Sequence, residues 1–385
     1  MKTSEKSSSY PKPWWVENQE ELLKLAITHS PAYVYKVDEI RKRAKEISIL
    51  KSVKRTFYAI KANSHPEILK EMYELGYSFD CVSIEELKLI LSLFPQASSR
   101  ILFTPNFAAI SEYQFALAQN ILVTVDNIYL LETFPEVFKE KPIILRLDPS
   151  QGQGHHRYTQ TAGDGSKFGL PILDLHKAKA ICKQYKIAIV GLHAHVGSGI
   201  LDATNWARTA HFLAGYISDL PEVRFIDLGG GFGVQENYEM ANLDFYQIQE
   251  HLALFQKQYQ RLELWIEPGR FLVARSGILL AKMTQIKKKQ DKTYIGLEVG
   301  MNALIRPALY EAYHRIENLS RLFDTNKITA DIVGPICESG DFLGYKRLVA
   351  EPKHGDIFVI DACGAYGRTM ASNYNNRTIP AEIFI

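Results

Sequence analysis

The stretch Thr56-Phe57-Tyr58-Ala59-Ile60-Lys61-Ala62-Asn63 reads as a β-rich run that delivers one lysine where strand gives way to loop. Burial at a strand end strips water from an ammonium and favours the neutral amine, the form that condenses with an aldehyde. The same octapeptide also fits a lysine that snorkels out of a strand end to reach water.

Working outward, strand-like runs recur at 56–60, 77–81, 101–104, 121–125, 143–147, 187–195, 225–228 and 262–267, with amphipathic segments between them. One such segment spans 66–75; its Ile68, Met72 and Leu75 share a face, and Gly76 ends it. Ser83, with Glu86 three residues on, is a capping box for the next. Eight β-then-α units over some 230 residues predict a (β/α)8 TIM-type barrel rather than a doubly wound sheet, which has fewer strands. Ahead of them lie a polar tail, the Trp14-Trp15 pair, a short helix at 18–26 and a strand at Ala32–Tyr35.

The chain has 385 residues, of which 46% are hydrophobic, enough for two cores. Its 45 lysines and arginines against 43 acids leave a net charge of +2, so no field recruits nucleic acid or an anionic membrane. No run approaches the roughly 20 apolar residues of a membrane helix. Four scattered cysteines, Cys81, Cys182, Cys337 and Cys363, form no C-x-x-C pair, which argues against a disulfide framework and fits a reducing cytoplasm.

In a barrel, chemistry collects at the C-terminal strand ends. Those ends carry Lys61, then Phe79-Asp80-Cys81, His193-Ala194-His195-Val196-Gly197-Ser198-Gly199, Asp227-Leu228-Gly229-Gly230-Gly231-Phe232-Gly233 and Glu267-Pro268-Gly269-Arg270. The glycine run lets backbone N–H groups approach an anion such as phosphate. It misses the G-x-G-x-x-G pattern at Val234, and a tight turn is its alternative reading.

His193 and His195, two apart on one strand, are expected to point the same way. A metal would need ligands from other strands, whose ends offer no matching set, so none is expected. A ring lying on a flat cofactor suits His195 better. His155 and His156 fall in a polar, glycine-rich loop at 151–166, expected to face solvent or act as a lid. A carboxylate at Glu267 could keep a heteroaromatic nitrogen protonated, or could pair with Arg270. Lysine, histidine, glycine nest and glutamate together are the parts that hold pyridoxal phosphate.

Tyr58-Ala-Ile-Lys-Ala-Asn63, His195-Val-Gly-Ser-Gly199, Gly229-Gly-Gly-Phe-Gly233, Glu267-Pro-Gly-Arg270, Cys337-Glu-Ser-Gly-Asp341 and Gly364-Ala-Tyr-Gly367 closely resemble the barrel-type pyridoxal-phosphate decarboxylases of amino acids. Within that family the chain is most similar to the diaminopimelate decarboxylases, in the same motif order from about Ala32 to Ile385. The resemblance implies a barrel at 36–275 and a β-domain built from 1–35 and 276–385, completed by the N-terminal strand. It also implies a cytoplasmic homodimer with shared sites.

Carried over motif by motif, Lys61 would bond the cofactor, His195 would lie on its ring and Glu267 would pair with its nitrogen. Ser198, Gly229, Gly230, Gly231 and Tyr366 would hold or flank the phosphate. Arg270, Arg306 and Tyr310 would bind a substrate carboxylate, and Cys337 and Glu338 would reach in from the second subunit. The glutamate after the cysteine implies meso-diaminopimelate, where ornithine-type enzymes usually carry aspartate. Lysine, ornithine, a carboxylated polyamine or a carrier-bound amino acid stay open as substrates, as does a non-catalytic regulatory role. This chain departs from the family at Ser198-Gly199, in the loop before Lys167, and in ending at Ile385. A fragment, a naturally short form or one half of a fusion is therefore expected.

Overall fold

The computed structural model describes residues 12–150, 153–154, 162–163, 165–236 and 240–385. The expected polar tail and the loop histidines His155 and His156 lie outside these residues. Two compact units emerge, one of 41–234 with 243–272, the other of the residues up to 40 with 235–242 and 273–385. The stretch 235–242, expected within the barrel, groups with the second unit, where Arg275 donates to the Gln235 carbonyl at 2.7 Å.

After β1 (Ala32–Tyr35) come β2 (Val53–Ala59), β3 (Ser78–Cys81), β4 (Ile101–Phe103), β5 (Leu122–Val125), β6 (Pro142–Arg146), β7 (Ala188–His193), β8 (Phe225–Asp227) and β9 (Glu263–Ile266). Strands β2 to β9 are parallel, each beside the next, and β9 returns to β2 to close an eight-stranded barrel. All eight strands expected from the sequence are present. Closure leaves no exposed edge.

Inside the barrel, Phe57, Leu102, Ile144, Val190, Phe225 and Trp265 form one apolar cluster. The Phe225 and Trp265 rings stack at 3.5 Å and 7°. These side chains come from six different strands, so the layer ties the cylinder together before any polar group is added.

The helices between strands follow their punctuation. In Pro66–Glu74 the His65 ring accepts the Glu67 N–H at 3.2 Å, and Ile68, Leu69 and Met72 are buried. Leu75, expected on that face, is 38% exposed because it is the C-cap residue ahead of Gly76, whose φ is +85°. Ser83 Oγ accepts the Glu86 N–H at 3.2 Å, while the Glu86 carboxylate turns to the Val82 N–H at 2.7 Å. The box thus closes one residue early.

The second unit holds β1 and β10 (Gly277–Lys289), β11 (Lys292–Leu297), β12 (Ile316–Asn318), β13 (Lys327–Val333), β14 (Phe342–Ala350), β15 (Ile357–Ile360) and β16 (Ala381–Phe384). They form a mixed eight-stranded sheet, the β-domain implied by the sequence. The N-terminal strand completes it: β1 runs antiparallel to β10, with Val34 opposite Ile278, and parallel to β16, with Val34 opposite Ile383. All four residues of β1 are buried, which explains why Ala-Tyr-Val-Tyr shows no polar alternation. Trp14, Trp15 and Leu22 pack on Val34, Leu280 and Val359.

Candidate active site

Seven strand ends at the barrel mouth carry a buried polar group, Asp80, Thr104, Asp126, Arg146, His193, Asp227 and Glu267. Lys61 sits in a single 3-10 turn, Ile60–Ala62, that follows β2 directly. Its Nζ lies 2.6 Å from Asp80 Oδ2 at the end of β3, a pair in which the lysine is 39% exposed and the aspartate fully enclosed. The Thr104 hydroxyl, just past β4, donates to the other Asp80 oxygen. Burial pushes the Asp80 carboxyl above its ordinary range, against the opposing pull of the Lys61 ammonium. Asp80 is thus the anchor that aims Lys61, a role its place in the sequence does not reveal.

Glu267 follows β9 and is 5% exposed. Its Oε2 lies 3.3 Å from His193 Nε2. Burial acts to raise its pKa, but the His193, Lys61 and His195 groups outweigh that and hold it at about 2. Asp227, at the end of β8, goes the other way: burial and the nearby Glu267 charge push it well above its usual range. Two enclosed carboxyl groups have therefore been driven apart, Glu267 downward and Asp227 upward. Glu267 Oε1 and Asp227 Oδ2 are buried without a hydrogen-bond partner among the described residues.

β7 ends at His193, so His195 stands beyond the strand expected to run through it, and both imidazoles lie close enough to Glu267 to lower its pKa. Beyond His195, Gly197 and Gly199 have φ of +152° and +76°, and Gly197–Ser198 pairs with Gln153–Gly154 as a short parallel ladder. His193 faces the two carboxylates. The premise that other strands offer it no partners is likewise corrected: donor atoms of His193, Asp227 and Glu267 lie within 4.8 Å of one another. Asp227 Oδ1 already accepts the Gly229 N–H at 2.9 Å.

His195 Nδ1 accepts the Gly230 N–H at 3.1 Å. Burial, with Arg146 next in weight, pushes its pKa down to about 3, so the ring is neutral and its Nε2 carries the hydrogen. The glycines after β8 are required by close approach. A Cβ on Gly229 would lie 2.6 Å from His195 Nδ1, on Gly230 2.2 Å from the Glu267 carbonyl, and on Gly231 2.6 Å from the Gly197 carbonyl. Arg270 donates to Ser198 Oγ at 3.0 Å rather than pairing with Glu267. Lys61, His195, Ser198, Gly229, Gly230, Gly231, Glu267 and Arg270 thus all belong to this one barrel end.

The other expected residues lie in the β-domain. Arg306, 3% exposed, opens the short helix Arg306–Tyr310, bonds to His314 Nε2 at 2.9 Å and lies 3.5 Å from Glu236. Tyr310 ends that helix and is half-buried. Tyr366 has φ of +56°. Cys337 and Glu338 occupy an exposed loop after β13 that is braced on two sides. Behind it, the Asp341 carboxylate accepts the Met301 and Ile336 N–H groups at 2.6 and 2.7 Å. In front, Tyr374 donates to Glu338 Oε1 at 2.5 Å and Asn375 Oδ1 accepts the Cys337 N–H at 2.8 Å.

A closed parallel barrel that presents a lysine, a glycine nest and an ionised buried glutamate at its C-terminal mouth is the arrangement of a barrel-type cofactor enzyme. Residues 37–274 match the family model for the pyridoxal-dependent decarboxylase pyridoxal-binding domain. A diaminopimelate decarboxylase of Methanothermobacter thermautotrophicus is 33% identical over 92% of this chain and 86% of its own length. One from Campylobacter jejuni is 33% identical over 92% and 90%. The crystal structure of diaminopimelate decarboxylase from Helicobacter pylori complexed with L-lysine superposes with a TM-score of 0.86 at 30% identity, covering 96% of this chain and 94% of that one. The chain belongs to the family of pyridoxal-dependent decarboxylases, enzymes that act on amino acids, and its cofactor is pyridoxal 5'-phosphate.

The residues present fit that cofactor. Glu267 offers an ionised oxygen with no hydrogen-bond partner among the described residues, suited to a protonated ring nitrogen. The glycine nest leaves no room for side chains where a phosphate needs close backbone approach. Among the described residues, no helix is long and apolar enough to cross a membrane.

Proposed function

We propose that this decarboxylase acts on meso-2,6-diaminopimelate, releasing carbon dioxide and L-lysine, and that it works in the cytoplasm as a homodimer. The relatives named for that activity and the L-lysine bound by one structural neighbour support the substrate. The observation that carries the chemistry is Glu267, ionised and buried, with one oxygen free of hydrogen bonds among the described residues, in the mouth that also presents Lys61.

When bound, pyridoxal phosphate supplies an aldehyde carbon that bonds amines and a protonated ring that accepts the electron pair left when a carboxylate departs. Lys61 is the amine that would hold it, and Asp80 keeps that Nζ aimed into the mouth. Glu267 would accept the ring N–H. Because its pKa is held near 2, a far more basic ring nitrogen would keep the proton. His195, neutral, would lie against the ring without adding charge. Ser198, Gly229, Gly230, Gly231 and Tyr366 would hold the phosphate.

Arg270, Arg306 and Tyr310 bind substrate carboxylate. Cys337 and Glu338, supplied by the second subunit, place a proton donor and an anion at the substrate. Lys61 Nζ or Cys337 Sγ returns a proton to the α-carbon, and Glu338 reads the distal ammonium. The Tyr374 hydrogen bond fixes that carboxylate in advance, so less side-chain freedom is lost on binding.

The test is carbon dioxide release from meso-diaminopimelate with pyridoxal phosphate supplied, run beside L-lysine and L-ornithine. Release from diaminopimelate alone is the expected result. Release only from lysine or ornithine would keep the chemistry and overturn the substrate.

A further inference from the structure

We propose that the groove beneath the barrel, at the N-terminal ends of β2 and β3, binds a small polyanion bearing phosphate groups or several carboxylates. The groove encloses about 780 Å³ and is lined by Arg41, Lys45, Lys51, Lys54, Arg55 and Arg100, with no acidic side chain on its wall. That size is ordinary for a small-molecule site. Six cations gathered in a chain of net charge +2 are a local excess.

Glu71 neutralises Arg41 through two hydrogen bonds of 2.8 and 2.9 Å. The two inner arginines are held differently. Arg55 donates to the Ser99 carbonyl at 2.8 Å and to Ser78 Oγ at 3.3 Å, and lies 4.9 and 4.8 Å over the Phe57 and Trp265 rings. Arg100 donates to the Tyr73 and Tyr77 carbonyls and lies 3.9 Å over the Tyr73 ring. Their hydrogen bonds among the described residues thus go to neutral acceptors, which fix geometry without cancelling charge.

Arg55 registers the consequence. Burial lowers its pKa; Glu263 opposes that shift and Arg100 adds to it as a like charge. A polyanion resting between them would relieve that repulsion and take bidentate hydrogen bonds. The exposed rim lysines Lys45, Lys51 and Lys54 supply the field that draws it in. Strand β2 separates this groove from the mouth, since it runs from Val53 up to the turn that carries Lys61. The ligand therefore need not compete with the cofactor phosphate.

The experiment uses holoenzyme saturated with pyridoxal phosphate, titrated calorimetrically with inorganic pyrophosphate or with citrate at matched ionic strength. The expected result is saturable binding of at least one probe, with the cofactor absorbance unchanged. The Lys51→Gln/Lys54→Gln double variant should bind at least about tenfold more weakly. A control, Lys287→Gln/Lys288→Gln on the exposed end of β10, should bind like the parent. Binding of pyrophosphate alone would identify a phosphate ligand, and of citrate alone a polycarboxylate; both outcomes support the site. No saturable binding, or equal weakening in the two double variants, would overturn it.

Discussion

The interior and the mouth of the barrel are built from the same strands under opposite rules. In the interior, Phe57, Leu102, Ile144, Val190, Phe225 and Trp265 meet as apolar surface alone. At the mouth, Asp80, Arg146, His193, Asp227 and Glu267 are all less than 8% exposed, and several of their polar atoms lack hydrogen-bond partners among the described residues. Enclosing such groups destabilises a fold, whereas the aromatic layer stabilises it. The interior thus offsets what the mouth costs, and local rules are broken only where chemistry needs them.

That contrast can be broken from either side. The largest expected effect is at the mouth: Lys61→Ala should lower turnover by at least about a thousandfold while the far-ultraviolet spectrum stays that of the parent. Near-normal decarboxylation by that variant would remove Lys61 from its role. Glu267→Gln comes next, with an expected loss of roughly a hundredfold or more in kcat and little change in unfolding midpoint. A loss of stability without a loss of rate would make Glu267 a structural ion-pair member instead.

Phe225→Ala should show the reverse pattern. Removing a ring stacked at 3.5 Å on Trp265 should cost about 3–5 kcal/mol in denaturant unfolding. The surviving folded fraction should turn over substrate within a few-fold of the parent. Tyr374→Phe is smaller still: KM for diaminopimelate should rise several-fold at unchanged kcat, because only the anchoring of Glu338 is lost. A fall in kcat with KM constant would place Tyr374 elsewhere in the mechanism.

The smallest effect concerns pH. His195 is held near 3 when folded and titrates near 6.5 when unfolded. The unfolded chain therefore binds the extra proton between those values, and stability falls as pH drops from about 6.5 toward 3. His195→Gln should lose less stability than the parent between pH 7 and pH 5, by an amount on the order of 1 kcal/mol in urea unfolding. An equal loss in both proteins would show that the ring is not held neutral.

The barrel was legible because each strand is a short apolar run bounded by turn residues, and parallel strands covered on both faces read as such runs. Lys61, Glu267 and the glycines were legible as well, since residue types that serve a phosphate and a ring nitrogen stand at strand ends. What was missed depends on distances across the barrel. Asp80 and Asp227 are single acids ending apolar strands, a signal that could have marked them, but their partners lie 19 and 40 residues away at Lys61 and Glu267. Leu75 was misplaced for a local reason: a periodic pattern does not say where a cap ends it. The Tyr374 brace on Glu338 joins residues 36 apart through a tail with no regular pattern.

The central claim is that Lys61 holds the cofactor, and borohydride reduction of the holoenzyme followed by peptide mass spectrometry tests it most directly. The account expects a phosphopyridoxyl group on the peptide containing Lys61, and none in the Lys61→Ala variant. A stable adduct on any other lysine, with Lys61 unmodified, would contradict it.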